Sequence, residues 1–94
     1  MLIVSGKIYI RSGERKNFLA ASAYSVSRAR EAPGCQDFVV AADPIEPNRV
    51  NVYEEWDSEE EMLTFRDSGP SDNMNTMIEK AAVLKHVVAS CAPA

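Results

Sequence analysis

The sequence predicts an α+β fold of the ferredoxin-like type, in which two successive β-α-β units form a four-stranded antiparallel sheet with both helices on one face. Three observations support this prediction. Strand-like and helix-like segments follow one another in the order β-α-β-β-α-β, turn residues separate them, and the chain has only 94 residues. A chain of that length buries roughly two-thirds of its unfolded surface, so we assign residues 1–94 to a single domain.

The first half of the chain has the pattern of one β-α-β unit. Leu2–Ile10 is rich in β-branched and aromatic residues, which is typical of a strand. A helix is predicted from residue 14 to about residue 32, because apolar residues recur there at helical spacing and a Pro-Gly pair follows. Residues 36–42 are again β-rich and are predicted to form the second strand.

The third strand and the second helix carry the clearest local signals. Residues 49–56 alternate along a strand, which divides their side chains between two faces. One face carries Val50, Val52, Glu54 and Trp56, and the other carries Asn51, Tyr53 and Glu55. The sequence Ser58-x-x-Glu61 is a capping box, so the second helix is predicted to begin directly after Ser58.

The end of the chain is predicted to contain a further helical piece and the last strand. Gly69-Pro70 breaks the second helix, and Ser71 or Asp72 would cap the next one. The apolar side of that piece would carry Met74, Met77, Ile78 and Ala81. Residues 83–90 are then predicted to form the last strand.

The sheet face away from the helices is predicted to need a partner. Ile3 and Tyr9 of the first strand would lie there beside the Asn51, Tyr53 and Glu55 face of the third strand. Exposed Ile and Tyr side chains on one face are typical of an interaction surface. A second copy of the chain, related by a twofold axis, is the simplest partner, so we expect a homodimer.

Composition excludes several classes of function. Ten basic and fourteen acidic residues give a net charge of −4, so no nucleic acid or anionic membrane is expected as a partner. The longest apolar run, residues 38–42, is too short to span a membrane, and the N-terminus lacks the pattern of a signal peptide, so we expect a cytoplasmic protein. Cys35 and Cys91 match no metal-ligand spacing and are predicted to be free thiols; no metal and no cofactor are expected.

Three segments taken in order resemble one known family. Glu31-Ala32-Pro33-Gly34-Cys35 stands at a helix end, and Asp43-Pro44 precedes Pro47-Asn48-Arg49. Tyr53-Glu54-Glu55-Trp56-Asp57-Ser58, with Ser68 further on, is the longest of the three. These segments resemble the EPGC-like segment, the connector and the YExWxS strand-to-helix junction of the antibiotic biosynthesis monooxygenase family, and the resemblance extends from Leu2 to about Val88.

The resemblance implies a homodimer of ferredoxin-like subunits whose two sheets close as a dimeric α+β barrel. It also implies oxidation of electron-rich aromatic substrates, such as quinols and anthrones, by molecular oxygen without a metal or flavin. That chemistry is physically reasonable, because a deprotonated hydroquinone is itself a strong reductant. The protein then supplies orientation, a dry cavity and proton transfer.

The sequence departs from the family pattern on the second helix. Relatives often carry a His at the position of residues 65–67, whereas this chain reads Phe65-Arg66-Asp67. Haem-degrading relatives need that His as an iron ligand, together with an Asn on the first strand, where this chain reads Ser5-Gly6-Lys7. Haem degradation is therefore not expected.

Trp56 and Glu54 share one face of the third strand and are the first candidate site residues. The Trp56 ring would stack on a flat substrate while its N–H donates a hydrogen bond; alternatively it only seals the core. Glu54 would act as a base; alternatively it pairs with Arg30 or Arg66, or reaches solvent at a sheet edge.

His86 and Arg66 are the remaining candidates for catalysis. His86, the only histidine, lies on the last strand and would take a proton from a quinol; alternatively it is a hydrogen-bonded packing residue. Arg66 on the second helix would hold an anionic phenolate; alternatively it is a solvated residue paired with an acid.

These observations lead to one functional hypothesis and one alternative. The chain is predicted to be a cofactor-independent monooxygenase that oxidises a quinol-like or polycyclic phenolic substrate with molecular oxygen. His86, Glu54 and Arg66 would be catalytic, and the substrate would contact Trp56, Met62, Phe65 and Val52. The alternative is a non-catalytic dimeric module that binds a small aromatic or lipophilic ligand, and oxygen uptake with a panel of quinols separates the two.

Overall fold

A computed structural model describes residues 1–68 and 74–94 of the chain and confirms the ferredoxin-like α+β fold. The elements, in chain order, are β1 Leu2–Ile10, α1 Arg15–Arg30, β2 Cys35–Ala42, β3 Arg49–Trp56, α2 Glu59–Ser68, a 3-10 turn Met74–Met77 and β4 Ile78–Val87. The sheet order is β2-β3-β1-β4, and all three strand pairs are antiparallel. Within the described ranges no helix is both long and apolar enough to cross a bilayer.

The end of the chain differs from the prediction. Instead of a helix through residues 74–81, a single 3-10 turn ends at Met77 and β4 begins at Ile78. The strand begins early because β1 pairs with β4 along its whole length, from Leu2 opposite Val87 to Ile10 opposite Ile78. The predicted chain break at Gly69-Pro70 and the predicted caps lie outside the described residues.

The predicted alternation of β3 is confirmed. The side of the sheet that faces the helices carries two clusters of buried residues. The first core cluster contains Leu2, Val4, Trp56 and Met62, and the second contains Ile10, Phe18 and Val50. The first core cluster lies beneath α2, so the residues at the end of β3 are those that α2 covers.

The N-terminus of α2 lies against the turn that joins α1 to β2. Glu61 donates its backbone N–H to the Ser58 hydroxyl, which in turn donates to the Glu61 carboxylate, confirming the predicted cap. Gly34 has φ of +83°, and a Cβ at this position would overlap the Glu61 carboxyl group. The Gly34 carbonyl also accepts the N–H of Asp57 at 2.8 Å. The backbone angle therefore requires a glycine at position 34, and any side chain there would also force the Glu61 carboxyl group to move.

The β2–β3 connector is held by charged side chains. One nitrogen of the Arg15 guanidinium donates to the carbonyls of Asp43, Glu46 and Arg49. The Asp43 carboxylate accepts the backbone N–H of Glu46 at 2.8 Å and the side-chain amide of Asn51 at 2.9 Å. These hydrogen bonds, the one from Glu46 first, lower the pKa of Asp43 from 3.8 to about 2. The connector is thereby fixed to the start of α1.

The sheet face without helices carries apolar side chains, as the alternation predicts. Ile3, Tyr9 and Tyr53 are half-buried there, and Leu84 of β4 is 67% exposed. Tyr53 donates its hydroxyl hydrogen to the carboxylate of Glu55 at 2.7 Å, and this bond, together with burial, raises the pKa of Tyr53. We refer to this surface as the open sheet face.

Candidate functional site

The candidate site is centred on two buried side chains near the end of β3. Trp56 is fully buried and Glu54 is 7% exposed. Because they are two residues apart on a strand, both side chains point towards the helices. The indole Nε1 of Trp56 donates to Oε1 of Glu54 at 2.9 Å, so the buried carboxylate has a donor within its own strand.

Arg66, in the last turn of α2, provides the positive charge beside Glu54. Its guanidinium lies 3.6 Å from Oε1 of Glu54, and its side chain is 48% exposed. Arg30, the other expected partner, instead donates to the carbonyl of Phe38 at 2.9 Å. Of the two predicted ion pairs of Glu54, the structure therefore contains the one with Arg66.

The second oxygen of Glu54 takes no part in the contacts with Trp56 and Arg66. Within the described part of the chain, Oε2 makes no hydrogen bond, whereas every fully buried side-chain oxygen or nitrogen there has a partner. Both contacts of the carboxylate described above are made by Oε1. Glu54 thus has one oxygen engaged with Trp56 and Arg66 and one that can accept a proton.

Phe65 and Met62 of α2 cover Trp56 from the helix side. The Phe65 ring lies 5.5 Å from the Trp56 ring, measured between centroids, and meets Phe38 edge-on at 6.0 Å. Met62 is buried in the first core cluster together with Trp56. This packing fixes the plane of the indole, and with it the position of the Glu54 carboxylate.

A cleft of about 340 Å³ opens between α2 and β4, next to Glu54. We call it the α2–β4 cleft; its lining residues are Val4, Arg66, Val83, Leu84 and Lys85. Val4 lies opposite Glu54 on one side and opposite Lys85 on the other, so the three residues form one row across the sheet. Arg66 belongs to the cleft and to the Glu54 ion pair, and it therefore connects the two.

A second cavity of similar volume lies on the other side of Phe65, between the end of α1 and α2. The Arg28 guanidinium covers the outer face of the Phe65 ring at 4.7 Å. Three carboxylates, Glu31, Glu60 and Glu61, line this helix groove. They would repel an anionic phenolate, whereas the α2–β4 cleft offers it cations.

The structure brings together five of the seven residues predicted to form the site: Glu54, Trp56, Met62, Phe65 and Arg66. Val52 is on the same face, but it packs against the second core cluster. His86 lies opposite Ile3 in the β1–β4 register, on the open sheet face, and is exposed. Within one chain, His86 is therefore on the other side of the sheet from Trp56.

Sequence reasoning missed Lys85. Its ammonium group forms an ion pair with Glu59 in the first turn of α2 and lines the cleft. The alternation of β4 could have placed Lys85 on the helix side, but only with the β1–β4 register known. Among residues 1–68 and 74–94, no three His, Cys, Asp or Glu side chains converge as metal ligands would.

Comparison with known proteins decides the family. A family model described as antibiotic biosynthesis monooxygenase matches residues 1–77. The chain belongs to this family. The match includes β3 and α2, and therefore Glu54, Trp56 and Arg66. No protein of curated function matches the sequence.

Solved structures share the fold over nearly the whole chain. A Deinococcus radiodurans protein whose name carries the same family designation gives a TM-score of 0.86 at 16% identity, covering 100% of this chain and 98% of that chain. A similarly named Chloroflexus aurantiacus protein gives 0.77 at 24% identity, covering 98% and 96%. One from Nitrosomonas europaea gives 0.81 at 10% identity, covering 96% and 100%. At these identities the likeness establishes the antibiotic biosynthesis monooxygenase fold.

Proposed function

We propose that this chain is a cofactor-independent monooxygenase that oxidises a quinol-like or polycyclic phenolic substrate with molecular oxygen in the α2–β4 cleft. The observation that carries the proposal is the Glu54 carboxylate, which is buried, accepts the indole N–H of Trp56 through Oε1 and lies 3.6 Å from the Arg66 guanidinium. A carboxylate in that setting is a positioned base, and Arg66 beside it is a ready partner for the anion that forms.

The first step is loss of the phenolic proton. Oε2 of Glu54 accepts it, and the phenolate oxygen is held by Arg66, whose guanidinium lies 3.6 Å from the Glu54 carboxylate. Arg66 has five N–H donors, so it can hold the phenolate while it remains close to Glu54. The apolar side chains of Val4 and Val83 hold the rings and keep water away from the anion.

The remaining steps need no electron carrier from the protein, because the phenolate is the reductant. It passes one electron to oxygen, and the resulting radical pair joins through a new C–O bond at a ring carbon that bears hydrogen. The peroxide takes the proton back from Glu54. Loss of that carbon's hydrogen and cleavage of the O–O bond then release water and leave a quinone. One phenol and one O₂ therefore give one quinone and one H₂O.

This proposal assigns the role of base to Glu54 and not to His86. Glu54 is adjacent to the cleft, whereas His86 is on the open sheet face. Trp56 and Phe65 act by positioning: Phe65 packs against the Trp56 ring, whose N–H holds the Glu54 carboxylate in place.

The proposed assembly is a homodimer formed through the open sheet face. Ile3, Tyr53 and the exposed Leu84 support it, since together they form an apolar surface on the side that no helix covers. Closure of two such sheets would give the barrel that the family resemblance implies.

Oxygen uptake tests the proposed function directly. Purified protein is mixed with a panel of naphthohydroquinones and dihydroxyanthracenes in an oxygen-electrode cell, and the rate above the spontaneous oxidation is measured. Protein-dependent uptake that saturates with substrate is expected, with one O₂ consumed for each water formed. The absence of any protein-dependent uptake, combined with saturable quenching of Trp56 fluorescence by the matching quinones, would support the non-catalytic binding module instead.

A further inference from the structure

We propose that the α2–β4 cleft selects aromatic substrates that carry a second anionic group, bound by Lys85 at the end of the molecule away from the reacting phenol. This inference rests on the proposed function and names the substrate class of the same site. It is based on three features of the cleft: the sign of its charges, their spacing, and the weak ion pair that holds Lys85.

Both cations of the cleft are paired with a carboxylate. Among the described residues, Arg66 and Lys85 are the ionisable ones that line it, Arg66 facing Glu54 and Lys85 facing Glu59, and the other lining residues are apolar. The chain as a whole has a net charge of −4, and the neighbouring helix groove is lined by three glutamates and one arginine. An anionic ligand can therefore bind in the cleft by taking the place of a carboxylate beside one of these cations.

A single phenolate does not account for both cations. Arg66 contacts Glu54, so it is placed to hold the reacting oxygen. Lys85 is two strands away from Glu54 across Val4, which corresponds to about 10 Å between the two backbones. Along α2, Glu59, the partner of Lys85, precedes Arg66 by seven residues, which is again about 10 Å. A second anion at the far end of a polycyclic ring system would fit this separation.

Lys85 can exchange its present partner for a ligand. Its ion pair with Glu59 is exposed, with about half of each side chain accessible to solvent. Exposed ion pairs of this kind contribute little to stability, so an incoming carboxylate can readily replace Glu59 as the partner of Lys85. The floor between the two cations is formed by Val4 and Val83, which suits a flat apolar ring system.

Binding of a matched pair of quinones tests the inference without turnover. Anthraquinone-2-carboxylate and the neutral anthraquinone-2-carboxamide have the same shape and differ in charge, and quenching of Trp56, the only tryptophan, reports their binding. We expect the carboxylate to bind at least tenfold more tightly. Equal dissociation constants for the two compounds would overturn the inference.

Four variants show whether Lys85 is responsible. Lys85→Met should reduce the preference for the carboxylate to less than about twofold, whereas Lys16→Met, which removes the same charge from an exposed position on α1, should keep it. Glu59→Gln should strengthen carboxylate binding by removing the competing partner, and Glu60→Gln, one residue further along α2, should not. A Lys85→Met protein that retains the tenfold preference would also overturn the inference.

The failure of this inference is distinguishable from failure of the proposed function. If oxygen uptake is equal for a naphthohydroquinone and its carboxylate derivative, the monooxygenase activity is supported and only the proposed role of Lys85 is refuted. If the protein prefers the carboxylate through Lys85 but consumes no oxygen with any quinol, the inference about Lys85 is supported and the proposed monooxygenase function is refuted.

Discussion

Trp56 donates its indole hydrogen to the carboxylate of Glu54, two residues earlier on the same strand, across 2.9 Å. Each side chain satisfies a buried polar group of the other, so neither can be removed without leaving the other short of a partner. The pair connects the packing of the core with the chemistry of the cleft, because the same carboxylate faces Arg66.

Glu54→Gln should abolish most of the activity and leave the fold intact. The glutamine oxygen can still accept the indole hydrogen of Trp56, but the amide cannot take a proton from a phenol. We expect kcat for quinol oxidation to fall by about 100-fold or more, in the range typical of a lost general base. Oxygen uptake at saturating quinol measures this. Glu60→Gln, on the helix groove, should behave as the parent, and a folded Glu54→Gln protein with the parent kcat would eliminate Glu54 as the base.

Replacing Trp56 should affect stability and activity to different extents. Trp56→Ala leaves a cavity in the first core cluster and should lower the free energy of unfolding by about 3–5 kcal/mol. Trp56→Phe keeps most of the ring but removes the donor to Glu54, which should cost about 1–3 kcal/mol. Urea unfolding followed by circular dichroism measures both.

The kcat/KM of a Trp56→Ala protein that remains folded should also fall at least tenfold, which corresponds to about 1.4 kcal/mol of transition-state stabilisation. Equal activity in the folded Trp56→Ala protein and the parent would mean that Trp56 serves packing alone.

The open sheet face should hold two copies of the chain together. Light scattering at micromolar concentration is expected to give twice the 10.4 kDa mass of the chain. Leu84→Lys places a charge in the interface and should shift the protein towards the monomer. Leu63→Lys is the matched control, because Leu63 is 46% exposed on α2 and lies away from that face. A parent protein that is monomeric at every concentration would exclude the barrel.

Asp43 should make the protein less stable in acid. Its pKa in the folded protein is about 2, below its ordinary value of 3.8, so the ionised carboxylate is stabilised by folding. That contribution is fully present above the ordinary pKa and is lost as the pH falls from about 4 towards 2. The unfolding midpoint in urea should therefore fall more steeply over this range in the parent than in Asp43→Asn, and NMR titration of the Asp43 carboxyl carbon checks the pKa itself. Identical slopes would show that Asp43 titrates normally.

The parts of the fold that depend on local chemistry were predictable. β3 is identified by its alternation alone, and the start of α2 by the cap formed by Ser58 and Glu61. Because alternation also fixes which side chains share a face, it places Glu54 on the same face as Trp56 from the sequence alone. Arg66 was one of two arginines expected near Glu54, and the choice between them depended on helix packing.

The start of β4 was not predictable in the same way. The apolar residues around Met77 and Ile78 fit a helical spacing about as well as a strand, since short apolar runs are ambiguous. The choice between helix and strand for these residues is decided by the long-range pairing with β1, which requires a partner strand of similar length. The same register determines the faces of His86 and Lys85, so the face of each could be assigned only after the β1–β4 pairing was known.

The close contact of Gly34 with Glu61 makes the two halves of the chain interdependent. Gly34 belongs to the first β-α-β unit, and Glu61 caps the helix of the second. The start of α2 therefore packs against the turn between α1 and β2. A side chain acquired at position 34 during evolution would strain the backbone and push the Glu61 carboxyl group away from Ser58, weakening the cap of the helix that carries Phe65 and Arg66. The helix that lines the α2–β4 cleft thus depends on a turn that contributes no side chain to the cleft.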